Sequence, residues 1–267
     1  MLMIPMIILL LITLALYVVS AIVVWRGLTR AQAVRWQWLL PFAALLCHAG
    51  LLWNYLKSDD FDHLNITSSL STVAFLLSAL TLVKNKRANS LLLRPIIYIF
   101  AAVSLVLMVA SPVNWGASVD IANGLAIHIV LSLLAYAVLV LASLYAVQIL
   151  YLTYLLKHHR SNLLTGYFPP LMTVERYFFR LVATGTLMLL LAISSGFIFL
   201  DNMFEQGQAH KTILTFIALI IYAMVLFFHR VRKVRGRSLV IASVVGSGIL
   251  TLAYFGSRVV RDILLSM

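Results

Sequence analysis

The sequence predicts an all-α polytopic membrane protein, a bundle of about eight transmembrane helices, on three observations. Hydrophobic residues make up 63% of the chain and charged residues 10%, whereas soluble domains carry about 25% charged residues. Apolar runs of about 20 residues, enough to cross about 30 Å of hydrocarbon as a helix, recur from one end to the other. The basic residues collect in alternate gaps between those runs. A soluble fold needs a polar surface, and this chain has too few polar residues to build one.

The runs lie near 4–25, 36–55, 64–83, 92–111, 122–156, 178–201, 210–229 and 238–260. The first, ending at Trp25, reads as a retained helix. It lacks the basic start and small-residue cleavage site of a signal peptide. Pro41 and Pro95 fall in first turns, where a missing N–H costs little. Ser111-Pro112 and Phe168-Pro169-Pro170 mark breaks. The fifth run exceeds one crossing and is expected to project past the bilayer through Tyr151, Tyr154 and Lys157. No polar stretch is long enough for a separate soluble domain, so residues 1–267 read as one transmembrane helical domain.

Loop charge sets the expected orientation. Of the 20 Lys and Arg residues, all but Lys57, Lys211, Arg258 and Arg261 fall around 26–35, 84–94, 157–180 and 230–237. By the positive-inside rule those gaps face the cytoplasm, which puts both termini on the outer, periplasmic side of an inner membrane. All the acids except Glu175 fall on the opposite side. The formal net charge of +12 therefore marks topology and anionic lipid, not nucleic acid. The single cysteine, Cys47, excludes an intrachain disulfide and any C-x-x-C redox pair. It reads as a small buried hydrophobe.

Ionisable groups at membrane depth point to function, and here they are histidines. His48 lies about seven residues before the outer end of the second run, roughly 10 Å deep at the helical rise per residue. His128 reaches a similar depth in the fifth run from the same side. His210 opens the seventh run and His229 closes it. Neutral imidazole is a good transition-metal ligand, so His48 and His128 on facing helices are candidate axial ligands of a haem iron. The alternative is a polar side chain hydrogen-bonded between helices. His63, His158 and His159 read as loop residues. Trp115, in a short outer loop, either belongs to an interfacial aromatic belt or covers a flat cofactor. Gly185, Ser194, Ser195, Gly196, Gly246 and Gly248 suit close helix packing. No P-loop, nucleophile triad, paired catalytic carboxylates or H-E-x-x-H is present, so no enzyme is expected.

Three stretches carry a family resemblance. They are Ala126-Ile127-His128 with Leu133-Leu134-Ala135-Tyr136-Ala137; Pro170-Leu171-Met172-Thr173-Val174-Glu175-Arg176 with Arg180, Gly185 and Gly196; and Lys211-Thr212, Ile221-Tyr222-Ala223 and His229-Arg230, leading to Tyr254-Phe255-Gly256. Over about 120–260 the chain resembles the cytochrome c assembly family of membrane haem-handling proteins (CcmC, CcsA and ResC types), in particular the small HemX/YpjD inner-membrane branch. The resemblance implies haem handling near the outer membrane face. His128 matches the family's first external haem-ligand histidine, and His229 its intramembrane histidine near the inner face. Two features depart from the pattern. The tryptophan-rich platform expected before Lys211 is replaced by Phe204-Glu205-Gln206-Gly207-Gln208-Ala209-His210, and no histidine follows the last run. A two-histidine haem site would therefore recruit His48 or His210 beside His128. The competing expectation is a cofactor-free regulatory or scaffolding subunit that keeps the fold and docks a membrane protein partner.

Overall fold

A backbone in hydrocarbon must satisfy its own N–H and C=O groups, which leaves helices or closed barrels. The computed structural model takes the helical solution. It describes residues 3–30, 38–58, 65–82, 92–112, 123–158, 170–199, 209–233 and 236–256. The α-helices are α1 (Met3–Arg30), α2 (Leu39–Lys57), α3 (Ile66–Leu82), α4 (Arg94–Ala110), α5 (Asn123–Lys157), α6 (Leu171–Phe199), α7 (Ala209–Arg230) and α8 (Arg237–Thr251). A π-helical turn, Leu252–Gly256, continues α8. Six of these helices are long and apolar enough to cross a membrane. The other two, α3 and α4, are apolar and reach 17 residues each. Among the described residues there is no strand.

The described helices fall into two compact units, Met1–Asp120 and Ile121–Met267. In the first, α1 packs on α2 and α4, and α3 packs on α2 and α4. Its core includes Tyr17, Leu51, Ala74, Tyr98, Leu105 and Met108. The third helix turns its hydroxyls inward: Ser68, Ser69, Ser71, Ser78 and Thr81 are all buried. That inversion suits a lipid-facing helix, because hydrocarbon offers a hydroxyl no partner and a neighbouring helix does.

Asn65 starts α3. Its side-chain oxygen accepts the Ser68 backbone N–H at 2.7 Å, an N-cap bond to one of the helix's orphan donors. Its amide N–H donates to Tyr55 Oη at 2.8 Å, and that hydroxyl in turn donates to the Pro112 carbonyl at 3.3 Å. One buried side chain thus ties the start of α3 to the end of α2 and the exit of α4.

In the second unit, α5 and α6 form the largest interface and run antiparallel. His128 meets Ala192 and Ser195, Gly185 meets Leu139, and Tyr145 meets Tyr177. Positions ascend along α5 as they descend along α6, which is the register of an antiparallel pair. A Cβ on Gly185 would come within 2.6 Å of Leu139 Cδ2 and 2.7 Å of its Cγ. The glycine therefore sets how closely the two helices approach. The seventh and eighth helices pack similarly, where Gly246 sits 3.2 Å from the Tyr222 ring by the same construction. Gly248 has open space around it, and Ser194 is exposed. Of the small residues expected at interfaces, these two do not pack.

One boundary differs from expectation with consequence. The sixth span was expected at 178–201, with Arg176 and Arg180 in the preceding loop. The helix begins at Leu171, and both arginines lie on it. The physical reason is proline, which breaks a helix interior but is tolerated at its start. The Pro170 carbonyl accepts the N–H groups of Thr173 and Val174 at 2.8 and 3.2 Å, opening the helix there.

Gly185→Val forces a branched side chain into the Leu139 contact and is expected to lower stability by about 1–3 kcal/mol, read as earlier thermal unfolding in detergent. Asn65→Ala removes the cap and strands Tyr55, and is expected to cost about 1–2 kcal/mol in the same assay.

Candidate functional site

The histidines differ in what their ring nitrogens are free to do. His48, on α2, is 0% exposed. Its Nδ1 shares a hydrogen bond with Tyr17 Oη at 2.9 Å, and its Nε2 shares one with Ser71 Oγ at 2.9 Å. A neutral imidazole has one N–H and one lone pair. One hydroxyl must donate to the ring and the other accept from it, so both nitrogens are spent. The ring also meets Tyr17 and Phe75 edge-on, with centroids at 5.7 and 5.5 Å. His48 joins α1, α2 and α3 through polar contacts inside the first unit.

His128, near the start of α5, is only half-buried. Its Nδ1 lies 2.9 Å from the Ala192 carbonyl oxygen. A carbonyl can only accept, so Nδ1 carries the proton and Nε2 keeps its lone pair. Ser195 Oγ, 3.1 Å from Nδ1, shares that donor while giving its own proton to the Ala192 carbonyl. Ser132 Oγ stands 3.4 Å from Nε2, but it donates its proton to the His128 carbonyl at 2.7 Å. Among the described residues only Ser132 Oγ stands near the Nε2 lone pair, and its shorter bond goes to the backbone. This is the arrangement of metal-ligating histidines, whose second ring nitrogen donates to a carbonyl or carboxylate that fixes tautomer and orientation.

His210, in the first turn of α7, is exposed. His229, in its last turn, stacks face to face on Phe179 of α6, with ring centroids 3.4 Å apart and planes 6° apart. Its Nδ1 is buried without a hydrogen-bond partner among the described residues. The ring lines a cavity of about 470 Å³ between α6 and α7, with Arg176, Arg180 and Arg230. His158 caps α5 from the turn beyond it, its Nδ1 donating to the Tyr154 carbonyl at 2.9 Å. Trp115, His63 and His159 lie outside the described residues. Among the described residues no three or more His, Cys, Asp or Glu side chains gather to hold a metal ion. His48 and His128 belong to different units, and each ring has the hydrogen-bond partners named above within its own.

A family profile described as "Cytochrome C assembly protein" matches residues 36–265. The chain belongs to the cytochrome c assembly family. The match reaches well upstream of the 120–260 stretch in which the resemblance is legible by eye. Inner membrane protein YpjD of Escherichia coli strain K12 is 32% identical over 242 residues, covering 90% of this chain and 89% of the relative. An uncharacterized 28.8 kDa protein of Azospirillum brasilense is 28% identical over 249 residues, covering 90% and 86%. No solved structure matches. A cytochrome c assembly protein with these helices is a multi-pass membrane protein, and its relative's name places that relative in the inner membrane.

The sequence singles out histidines and places His48 and His128 on one footing. Equal depth was the only criterion available, and depth says nothing about which nitrogen is free. It also missed the arginine-lined cavity, because it left Arg176 and Arg180 in a loop. Pro170, as a helix start, is the signal that could have found it.

His48→Ala leaves Tyr17 and Ser71 hydroxyls without their partner in an apolar interior. It is expected to lower stability by about 2–4 kcal/mol, read by thermal unfolding. Tyr17→Phe removes one bond and keeps the shape, and should cost about 1 kcal/mol.

Proposed function

We propose that the protein is an inner-membrane haem-binding or haem-handling protein without covalent chemistry of its own. His128 is the principal iron ligand. The observation that carries this reading is the His128 tautomer: Nδ1–H held by the Ala192 carbonyl at 2.9 Å, Nε2 left with its lone pair. Membership of the cytochrome c assembly family supports it.

The donor set fits a haem better than a bare metal ion. A tetrapyrrole supplies four ligands itself and asks the protein for one or two axial donors. Bound haem supplies an iron centre able to change oxidation state. The protein's part is to orient the His128 ring through Ala192 and Ser195 and to limit water around it. His210 is the favoured second donor, since it is exposed. His48 would have to surrender a buried hydrogen bond to reach iron, and is assigned a structural role.

The competing reading is a cofactor-free regulatory or scaffolding subunit. The saturated His48 ring favours it, because one of the two candidate ligands then serves packing alone.

Purified protein supplied with haem is expected to show a Soret band that His128→Ala abolishes and His48→Gln leaves in place. Ser195→Ala should weaken haem affinity by about tenfold, the lower end of what losing a ligand's orienting partner costs. A folded wild-type protein that stays colourless after haem addition favours the scaffold reading.

A further inference from the structure

The cavity between α6 and α7 has its own chemistry. Arg176 and Arg180 stand one turn apart on α6, and Arg230 faces them from the end of α7. The lining also holds Glu175, so three guanidinium groups against one carboxylate leave two net positive charges. The volume, about 470 Å³, lies within the usual range of small-ligand sites, about 300–1,000 Å³. His229 Nδ1 is buried there without a partner, and the ring is pinned by its stack on Phe179. An unpaired polar nitrogen among guanidinium groups is an expensive arrangement unless an acceptor fills the space.

Arginine is the side chain best matched to oxyanions, because its planar fork gives paired parallel hydrogen bonds to phosphate or carboxylate. The surroundings select among oxyanion sources. Met172, in the lining, is 62% exposed, and α7 presents Met224 and Phe227, 55% and 52% exposed. In a membrane-spanning chain those surfaces meet acyl chains. The cationic cavity therefore opens beside an apolar face, which is the amphiphilic pattern of a phospholipid. Basic pockets between transmembrane helices bind anionic headgroups on the same grounds.

We propose that the Arg176–Arg180–Arg230 cavity binds the phosphate headgroup of an anionic phospholipid, with His229 Nδ1 donating to it. Arg176 and Arg180 hold the phosphate oxygens with Arg230 facing them, Glu175 limits the net charge, and the acyl chains lie along α7. This assignment concerns the opposite end of α6 from His128 and does not depend on haem.

The full-length protein, purified from nanodiscs containing phosphatidylglycerol and phosphatidylethanolamine, would be examined by native mass spectrometry. The wild type is expected to retain phosphatidylglycerol in preference to phosphatidylethanolamine. The double variant Arg176→Gln/Arg180→Gln should lose at least about tenfold of that retention. Arg232→Gln/Arg237→Gln, which removes two exposed charges outside the cavity, should retain it. Thermal unfolding confirms that each variant is folded; if the double variant fails to fold, Arg230→Gln is used instead. Equal retention by cavity variant and wild type overturns the proposal. So does displacement of the lipid by millimolar inorganic phosphate, which would make the ligand a soluble phosphate. Loss of a haem band in the cavity variant with lipid retention unchanged would also overturn it, and would assign the arginines to haem carboxylates.

Discussion

Hydrocarbon offers no hydrogen bonds, and every polar group placed in it must find a partner within the protein. That constraint organises the chain at each level. The backbone meets it by forming helices. Most helical hydroxyls meet it locally, as Thr13, Ser20, Thr72, Thr186 and Thr215 donate back to carbonyls one turn earlier. What local bonding cannot satisfy must be met between helices, and those few contacts decide which helix lies against which. His48 joins three helices because its two nitrogens need two partners. Asn65 and Tyr55 do the same at the start of α3.

The same constraint distinguishes the histidines by which of their ring nitrogens are paired. A ring with both nitrogens paired is at rest. A ring with one nitrogen paired to a carbonyl is oriented, and its other nitrogen stays available. His128 is in the second condition. A third condition is that of His229, whose Nδ1 is buried and unpaired beside a cationic cavity. Three imidazoles in one chain thus show three degrees of satisfaction.

Small residues play the complementary part. Lipid gives helices little hydrophobic reason to associate, so close packing must hold them. Gly185 admits Leu139, and Gly246 admits Tyr222. These contacts fix the approach of α5 to α6 and of α7 to α8. The first of them brings α6 against α5, where His128 meets Ala192.

Much of this was legible in the chain itself. Lipid-length apolar runs, proline punctuation and the clustering of basic residues are local properties, and local properties survive in a linear sequence. They determined the helical membrane class, the approximate spans, the histidines worth attention and the family. Other features needed packing. Whether Pro169-Pro170 ends a loop or opens a helix depends on how far α6 extends along its neighbours, and Arg176 and Arg180 changed character with the answer. Which imidazole nitrogen is free depends on a carbonyl 64 positions away for His128 and on hydroxyls 31 and 23 positions away for His48. No periodicity records such pairings, because the bonds that satisfy a buried polar atom are made across helices that only the folded bundle brings together.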